Sequence, residues 1–283
     1  MSSPSPVAVP LRQGSGVGIA AARLWRDPRV RWGTAAVLDL LIIYALWQLL
    51  RAAGVLPARY FPDANDVIAR IGTMLSTAAF WSTLWATVQS WGLGLLIAAV
   101  VGTVVGIVLG SSDRAYRFCR VTIEVLRPIP PIVILPLALL VLGVTLQMKL
   151  LLIVQGTLWA VLLQAVYGVR GVDPVMLETA AAYGMSRLRR FFSVQLPGSL
   201  PYIVTGIRIA AIFSLIVSIV AELVGGAAGL GNEILKAQSS GDDQAMYALI
   251  LLTGVLGAII TAVFSGLERL LLFWHPSQRE VAQ

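Results

Sequence analysis

Cysteine and histidine are almost missing from this sequence, and charge is scarce. The one cysteine, Cys119, excludes a disulfide framework within the chain and a multi-cysteine metal centre. It reads as a small structural thiol at a membrane edge. The one histidine, His275, excludes a His-Glu-x-x-His metal motif, and near the end of the last apolar run it reads as an interfacial residue. A Gly-rich phosphate loop ending in Lys-Ser/Thr is absent, as are a Gly-x-Ser-x-Gly nucleophile turn and paired intramembrane aspartates. The sequence therefore offers no catalytic residues, no metal site and no cofactor site of its own. An enzyme has nothing here to rest on.

What the chain has in abundance is apolar surface: 58% of residues are hydrophobic against 12% charged, and the mean hydropathy is +0.83. A soluble domain cannot present so much oil to water, whereas runs of about 20 apolar residues match a bilayer-crossing helix. The sequence describes an integral membrane protein. Its net charge of +7 comes from 21 basic and 14 acidic residues. The arginines flank apolar runs, where they set topology, and no aromatic-basic surface lies outside those runs, which argues against nucleic acid.

Apolar segments fall at about 34–53, 82–110, 121–143, 148–169, 202–225 and 245–273. The fold class expected is an all-α membrane protein with six transmembrane helices. Residues 1–33 form a tail, the first twenty expected to be disordered; 34–273 form the transmembrane domain and 274–283 a short C-terminal tail. The run after Arg31 is full span length and ends at Arg51, so it reads as a retained helix rather than a cleaved signal. Arginines gather in the N-terminal tail, at Arg114, Arg117 and Arg120, at Arg170, Arg187, Arg189 and Arg190, and at Arg269 and Arg279. The opposite side holds Arg51, Arg59, Arg70, Lys149 and Lys236 among several acids. The positive-inside rule then puts both termini in the cytoplasm.

Segment 63–80 reads as an external amphipathic helix on the membrane surface, and 226–243 as a Gly-rich external loop with a short helical turn. Charges at membrane depth are few: Asp39, Glu124, Glu222 and Arg208. Glu124 reads as locally paired. Glu222, beside Gly225-Gly226, suits either an interface position or an external gate. Neither a convincing internal repeat nor a midplane acid–base set is visible, which lowers an ion-gradient-driven carrier. No filter-like ring motif suggests a channel.

One polar interruption carries most of the meaning. Residues 178–197 read ETAAAYGMSRLRRFFSVQLP and fall in a cytoplasmic loop by this topology. The pattern is Glu178-Thr179-Ala180, three residues, Gly184, nine residues, then Val194-Gln195-Leu196-Pro197. It resembles the Glu-Ala-Ala…Gly…Ile-x-Leu-Pro loop of bacterial ABC importer membrane subunits, departing only at Thr179 and Val194. Small residues from Met176 to Tyr183 would let a partner approach a short helix, Glu178 offers it a carboxylate, and Gly184 supplies a turn. The run Ser186 to Phe192 would lie on the membrane surface, arginines to headgroups, and Pro197 and Pro201 would break the chain before the fifth span.

More of the chain is similar to the nitrate/sulfonate/taurine-type permeases, from about residue 60 to the C-terminus. The matching stretches are Phe61-Pro62-Asp63-Ala64, Leu126-Arg127-Pro128-Ile129-Pro130-Pro131 with Leu135-Pro136, Val172-Asp173-Pro174, Ala221-Glu222 and Gly229-Leu230-Gly231. Residues 140–147 are more aliphatic than that family's pattern and lack its acid. The resemblance implies a type I importer permease fold in the bacterial cytoplasmic (inner) membrane, working as a homodimer. It implies a cytoplasmic ABC ATPase dimer that holds ATP and Mg, and an external or periplasmic solute-binding protein. Glu178, Thr179, Ala180, Tyr183 and Gly184 are then candidates for coupling to the ATPase, in a region spanning 173–192. Arg127, Pro128, Pro130, Pro131 and Glu222 are candidates for the path or its gate. The solute suggested first is a sulfonate-, taurine- or nitrate-like anion, with pyrimidine or thiamine-precursor solutes as alternatives in the same class. A secondary carrier and a non-transporting scaffold are the competing classes.

Overall fold

The computed structural model describes residues 28–272, with side chains placed from Leu38 onward; every regular element among them is helical. The expected C-terminal tail 274–283, His275 and most of the tail 1–33 lie outside the described residues. Residues up to Ala64 form one compact unit and those from Asn65 onward a second. The first holds α1 (Pro28–Ala52), whose Leu41, Ile43 and Leu46 are exposed to the surroundings. Below it, Asp63 accepts from Gln48 Nε2 at 2.9 Å and pairs with Arg51, closing the turn after the helix.

The second unit contains α2 (Ala64–Leu75, continuing from the boundary), α3 (Ala78–Ser111), α4 (Asp113–Leu126), α5 (Pro131–Leu142) and α6 (Leu146–Arg170). After these come α7 (Pro174–Ala182), α8 (Arg187–Arg190), a π-helical turn (Phe191–Gln195), α9 (Leu196–Gly225), α10 (Leu230–Ser240) and α11 (Asp243–Leu271). Among the described residues, four stretches are long and apolar enough to cross a bilayer: α3, α6, Arg187–Gly225 and α11. The pair α4 and α5 makes a fifth if it is one broken span.

Four expectations need correcting. The third apolar segment is not one helix, because α4 and α5 meet at 86°. Pro128 and Pro130 have no N–H to carry on the helical ladder, so although Arg127 keeps helical dihedrals, the chain turns at 127–130 and restarts on Pro131. Pro197 and Pro201 do not break the fifth span; α9 runs through both. Pro197 occupies the first turn, where no N–H is needed, and the wider turn before it, closed by Leu196 N–H to Phe191 O, makes room for its ring. Residues 230–240 are an 11-residue helix rather than a short helical turn within a loop, with Leu230, Ile234 and Ala237 packed on Phe80 and Leu249. The amphipathic helix ends at Leu75, and Thr77 starts α3 four residues early by accepting from Phe80 N–H.

The core is made by α3, α6 and α9. Along α3, Gly94, Gly102, Gly106 and Gly110 face α6; a methyl on Gly106 would stand 2.6 Å from Ala165 Cβ, and one on Gly102 2.9 Å from Val161 Cβ. These small residues let two backbones approach closely, which is how helices gain contact where lipid gives no hydrophobic incentive. Trp91 Nε1 donates to Ala211 O at 2.8 Å, adding a tie from α3 to α9. One turn earlier on α9, Arg208 pairs with Glu268 of α11 at 2.7 Å. Cys119 packs beside Leu109, Ile123 and Leu162, as a structural thiol would.

Candidate functional site

The stretch 174–184 folds as a short helix with both ends closed by its own residues. Asp173 caps the start, its carboxylate accepting from Val175 N–H at 2.8 Å, and Pro174 occupies the first turn. At the far end Gly184 N–H donates to Ala181 O at 2.9 Å and Met185 N–H to Ala180 O at 3.1 Å. That pair of bonds is a Schellman cap, and it requires a left-handed residue; Gly184 has φ +75°. Of the five coupling candidates, Glu178, Thr179, Tyr183 and Gly184 are exposed. Ala180 is buried and faces its own protein, where α7 rests on α8 and the π turn. Val175 and Met176 join the exposed set, so the outer face of α7 is an apolar patch with one carboxylate.

A second arrangement surrounds the elbow between α4 and α5. Arg127 and Pro128 line two clefts, one on each side. The first, of about 500 Å³, is bounded by Tyr116, Arg120, Glu124 and Tyr167. The other, of about 360 Å³, is bounded by Pro130, Pro131, Leu152, Gly156, Phe213 and Val217 and is mostly apolar. Arg120 is held by Glu124 at 2.7 Å, the local pairing expected for that acid. Arg127 has no ion pair among the described residues. Gln155 fixes the elbow to α6 by donating from Nε2 to Ile129 O at 3.0 Å. Arg127, Pro128, Pro130 and Pro131 are therefore brought together around one mouth.

Glu222 is not with them. It is fully buried and ion-paired with Lys149 at 2.6 Å. Oε2 accepts from Thr87 Oγ1 at 2.9 Å and Gly231 N–H at 3.1 Å, and Oε1 also accepts from Ser218 Oγ at 3.3 Å. Lys149 spends its remaining protons on Ala228 O at 2.9 Å and Ala86 O at 3.2 Å. This buried acid–base pair lies near the start of α6 and the end of α9. In sequence Lys149 resembles a loop charge because it stands in the first turn of α6. A signal was available: Ser214, Ser218 and Glu222 recur every four residues on one helical face, and Lys149 is one of only two lysines.

The fold matches solved ABC transporter chains. A chain of the MetNI methionine ABC transporter, solved in inward-facing conformations, superposes with a TM-score of 0.61 at 21% identity, over 68% of this chain and 96% of that one. Residues 100–272 match the family described as "Binding-protein-dependent transport system inner membrane component", and the chain belongs to it as a membrane permease component of an ABC importer. Among its relatives is a putative aliphatic sulfonates transport permease protein, SsuC, of Escherichia coli K12, 30% identical over 83% of this chain and 89% of the relative. The taurine transport system permease TauC of the same organism is 28% identical over 89% and 93%. The nitrate import permease NrtB of Leptolyngbya laminosa is 27% identical over 83% and 86%.

Proposed function

We propose that two copies of this chain enclose one translocation path in a bacterial inner membrane and move a small anion, sulfonate- or taurine-like first and nitrate-like second. The names of the relatives support that solute class, and so does a mostly apolar cleft whose mouth carries the unpaired Arg127. A solute-binding protein delivers the anion from outside. A separate cytoplasmic ABC ATPase dimer, holding ATP and Mg, docks on residues 173–192. In this reading α1, α3, the broken pair α4–α5, α6, α9 and α11 are six spans with both termini inside, and 34–273 is the permease domain.

The observation that carries the reading is α7. A nine-residue helix fixed by caps at both ends moves as one piece, and it offers Met176, Glu178, Thr179 and Tyr183 outward. Closure of the ATPase pair would press on that face and be passed to α9 through the π turn. A bulky residue at Gly184 tests this. No atom lies within 4 Å of where its Cβ would be, so Gly184→Trp leaves the spans intact and disturbs only the left-handed cap. The variant should insert normally and lose substrate-stimulated ATPase activity in the reconstituted complex. Full stimulation would sink the coupling assignment.

A further inference from the structure

The buried Lys149–Glu222 cluster and the elbow at 127–130 divide the cleft walls into two mechanical classes. On one side every donor of the ion pair is matched. Lys149 gives its three protons to Glu222, Ala86 O and Ala228 O, and the Glu222 carboxylate receives Lys149, Ser218, Thr87 and Gly231. These partners come from α3, α6, α9 and the start of α10. Gly229, at φ +150°, is pressed so closely on the carboxylate that a side chain there would overlap it. Leu230 N–H donates to Thr87 Oγ1 at 2.9 Å, drawing the 226–229 connection down on the pair. A buried charge that loses one such partner is left uncompensated, so the elements are held to one geometry. Two of them, α6 and α9, supply Leu152, Gly156, Val217 and Ala221 to the apolar cleft.

On the other side stands α5. Its sequence, PIVILPLALLVL, contains no side chain that can hydrogen-bond. Only Leu135 and Ala138 are buried, against Met148, Leu152 and Ala221, while Val133, Leu140 and Val141 are exposed. Both of its ends are turns: the elbow at 127–130, tied to α6 by Gln155, and Gly143 at φ +65°. Dispersion alone holds its length.

We infer that the Lys149–Glu222 pair is a lock that makes α3, α6, α9 and the start of α10 one rigid body, so that the cleft changes width by movement of α5 about the 127–130 elbow. The lock stands independently of the transport reading; that the cleft carries solute rests on it.

Hydrogen–deuterium exchange on the full chain in lipid nanodiscs separates these statements from transport. In the unaltered protein, amides of 131–142 should exchange at least tenfold faster than those of 212–222. Thr87→Val keeps the side-chain shape and removes both Thr87 bonds; amides of 229–232 should then exchange at least tenfold faster, with 131–142 unchanged. Lys149→Met should raise exchange over 219–232 further, and Lys149→Met with Glu222→Leu should restore protection by removing the stranded charge. Should Lys149→Met fail to fold, Thr87→Val still decides the matter. Unchanged protection of 229–232 in Thr87→Val would overturn the lock, and equal exchange of α5 and α9 would overturn the moving wall. Loss of ATPase coupling with these exchange results intact would count against the proposed function instead.

Discussion

One helix offers a paired experiment in which the same chemical change should have opposite effects. Gly106 and Gly92 both lie on α3. A methyl on Gly106 would stand 2.6 Å from both Ala165 Cβ and the Leu162 carbonyl oxygen, where ordinary contact needs about 3.5–4.0 Å. The two helices must part by roughly 1 Å, and the Gly102 and Gly110 contacts on the same seam open with them. Overpacking of this kind costs about 1–3 kcal/mol, offset by the helix propensity gained on replacing glycine, up to about 1 kcal/mol. Gly106→Ala should therefore destabilise by up to about 2 kcal/mol net. Gly92 has nothing within 4 Å of its would-be Cβ, so Gly92→Ala keeps only the propensity term and should stabilise by up to about 1 kcal/mol. Thermal unfolding in one detergent, followed by fluorescence of the tryptophans, should show the midpoints moving in opposite directions. Equal shifts, or a Gly106→Ala stabilised as much as Gly92→Ala, would refute the close-packed α3–α6 seam.

Other consequences follow from the same geometry. Arg208→Met strands Glu268, whose side chain is only 14% exposed. The variant should lose about 1–3 kcal/mol of unfolding free energy, and Arg208→Met with Glu268→Leu should recover most of it; no recovery would show that the pair is not what joins α9 to α11. Asp173→Ala removes the cap on α7 and should cost the helix about 1 kcal/mol. Because α7 sits at one edge of the fold, the midpoint of global unfolding should barely move, while substrate-stimulated ATPase activity falls. Asp173→Asn, which still accepts from Val175 N–H, should keep more of it.

The spans were legible because hydropathy over about 20 residues is a strong signal, and α7 was legible because its caps are local: Asp173, Pro174 and Gly184 announce themselves in sequence. Where reading failed, the deciding fact was non-local or lay in the neighbouring turn. Pro128 with Pro130 and Pro197 with Pro201 look alike as text. The first pair sits between helices and makes an elbow; of the second, Pro197 falls in a first turn behind a widened one and Pro201 lies inside α9, which runs through both. Residues 230–240 are polar and glycine-flanked, so they read as a loop until Phe80 and Leu249 supply the apolar surface on which they fold. The Lys149–Glu222 pair joins positions 73 residues apart, and only packing brings them together. Ala180 shows the reverse error, since its small size serves the contact beneath α7 rather than the surface above it.

The central claim is that this chain is driven by a separate ATPase held on α7. Mild detergent extraction of the tagged chain from the cells that make it, followed by quantification of what copurifies, tests this most directly. An ABC ATPase should arrive in equal amount, crosslinked through Met176→Cys on the exposed face of α7 and lost in Gly184→Trp. A chain that arrives without an ATPase, and takes up solute in liposomes on an ion gradient alone, would contradict it.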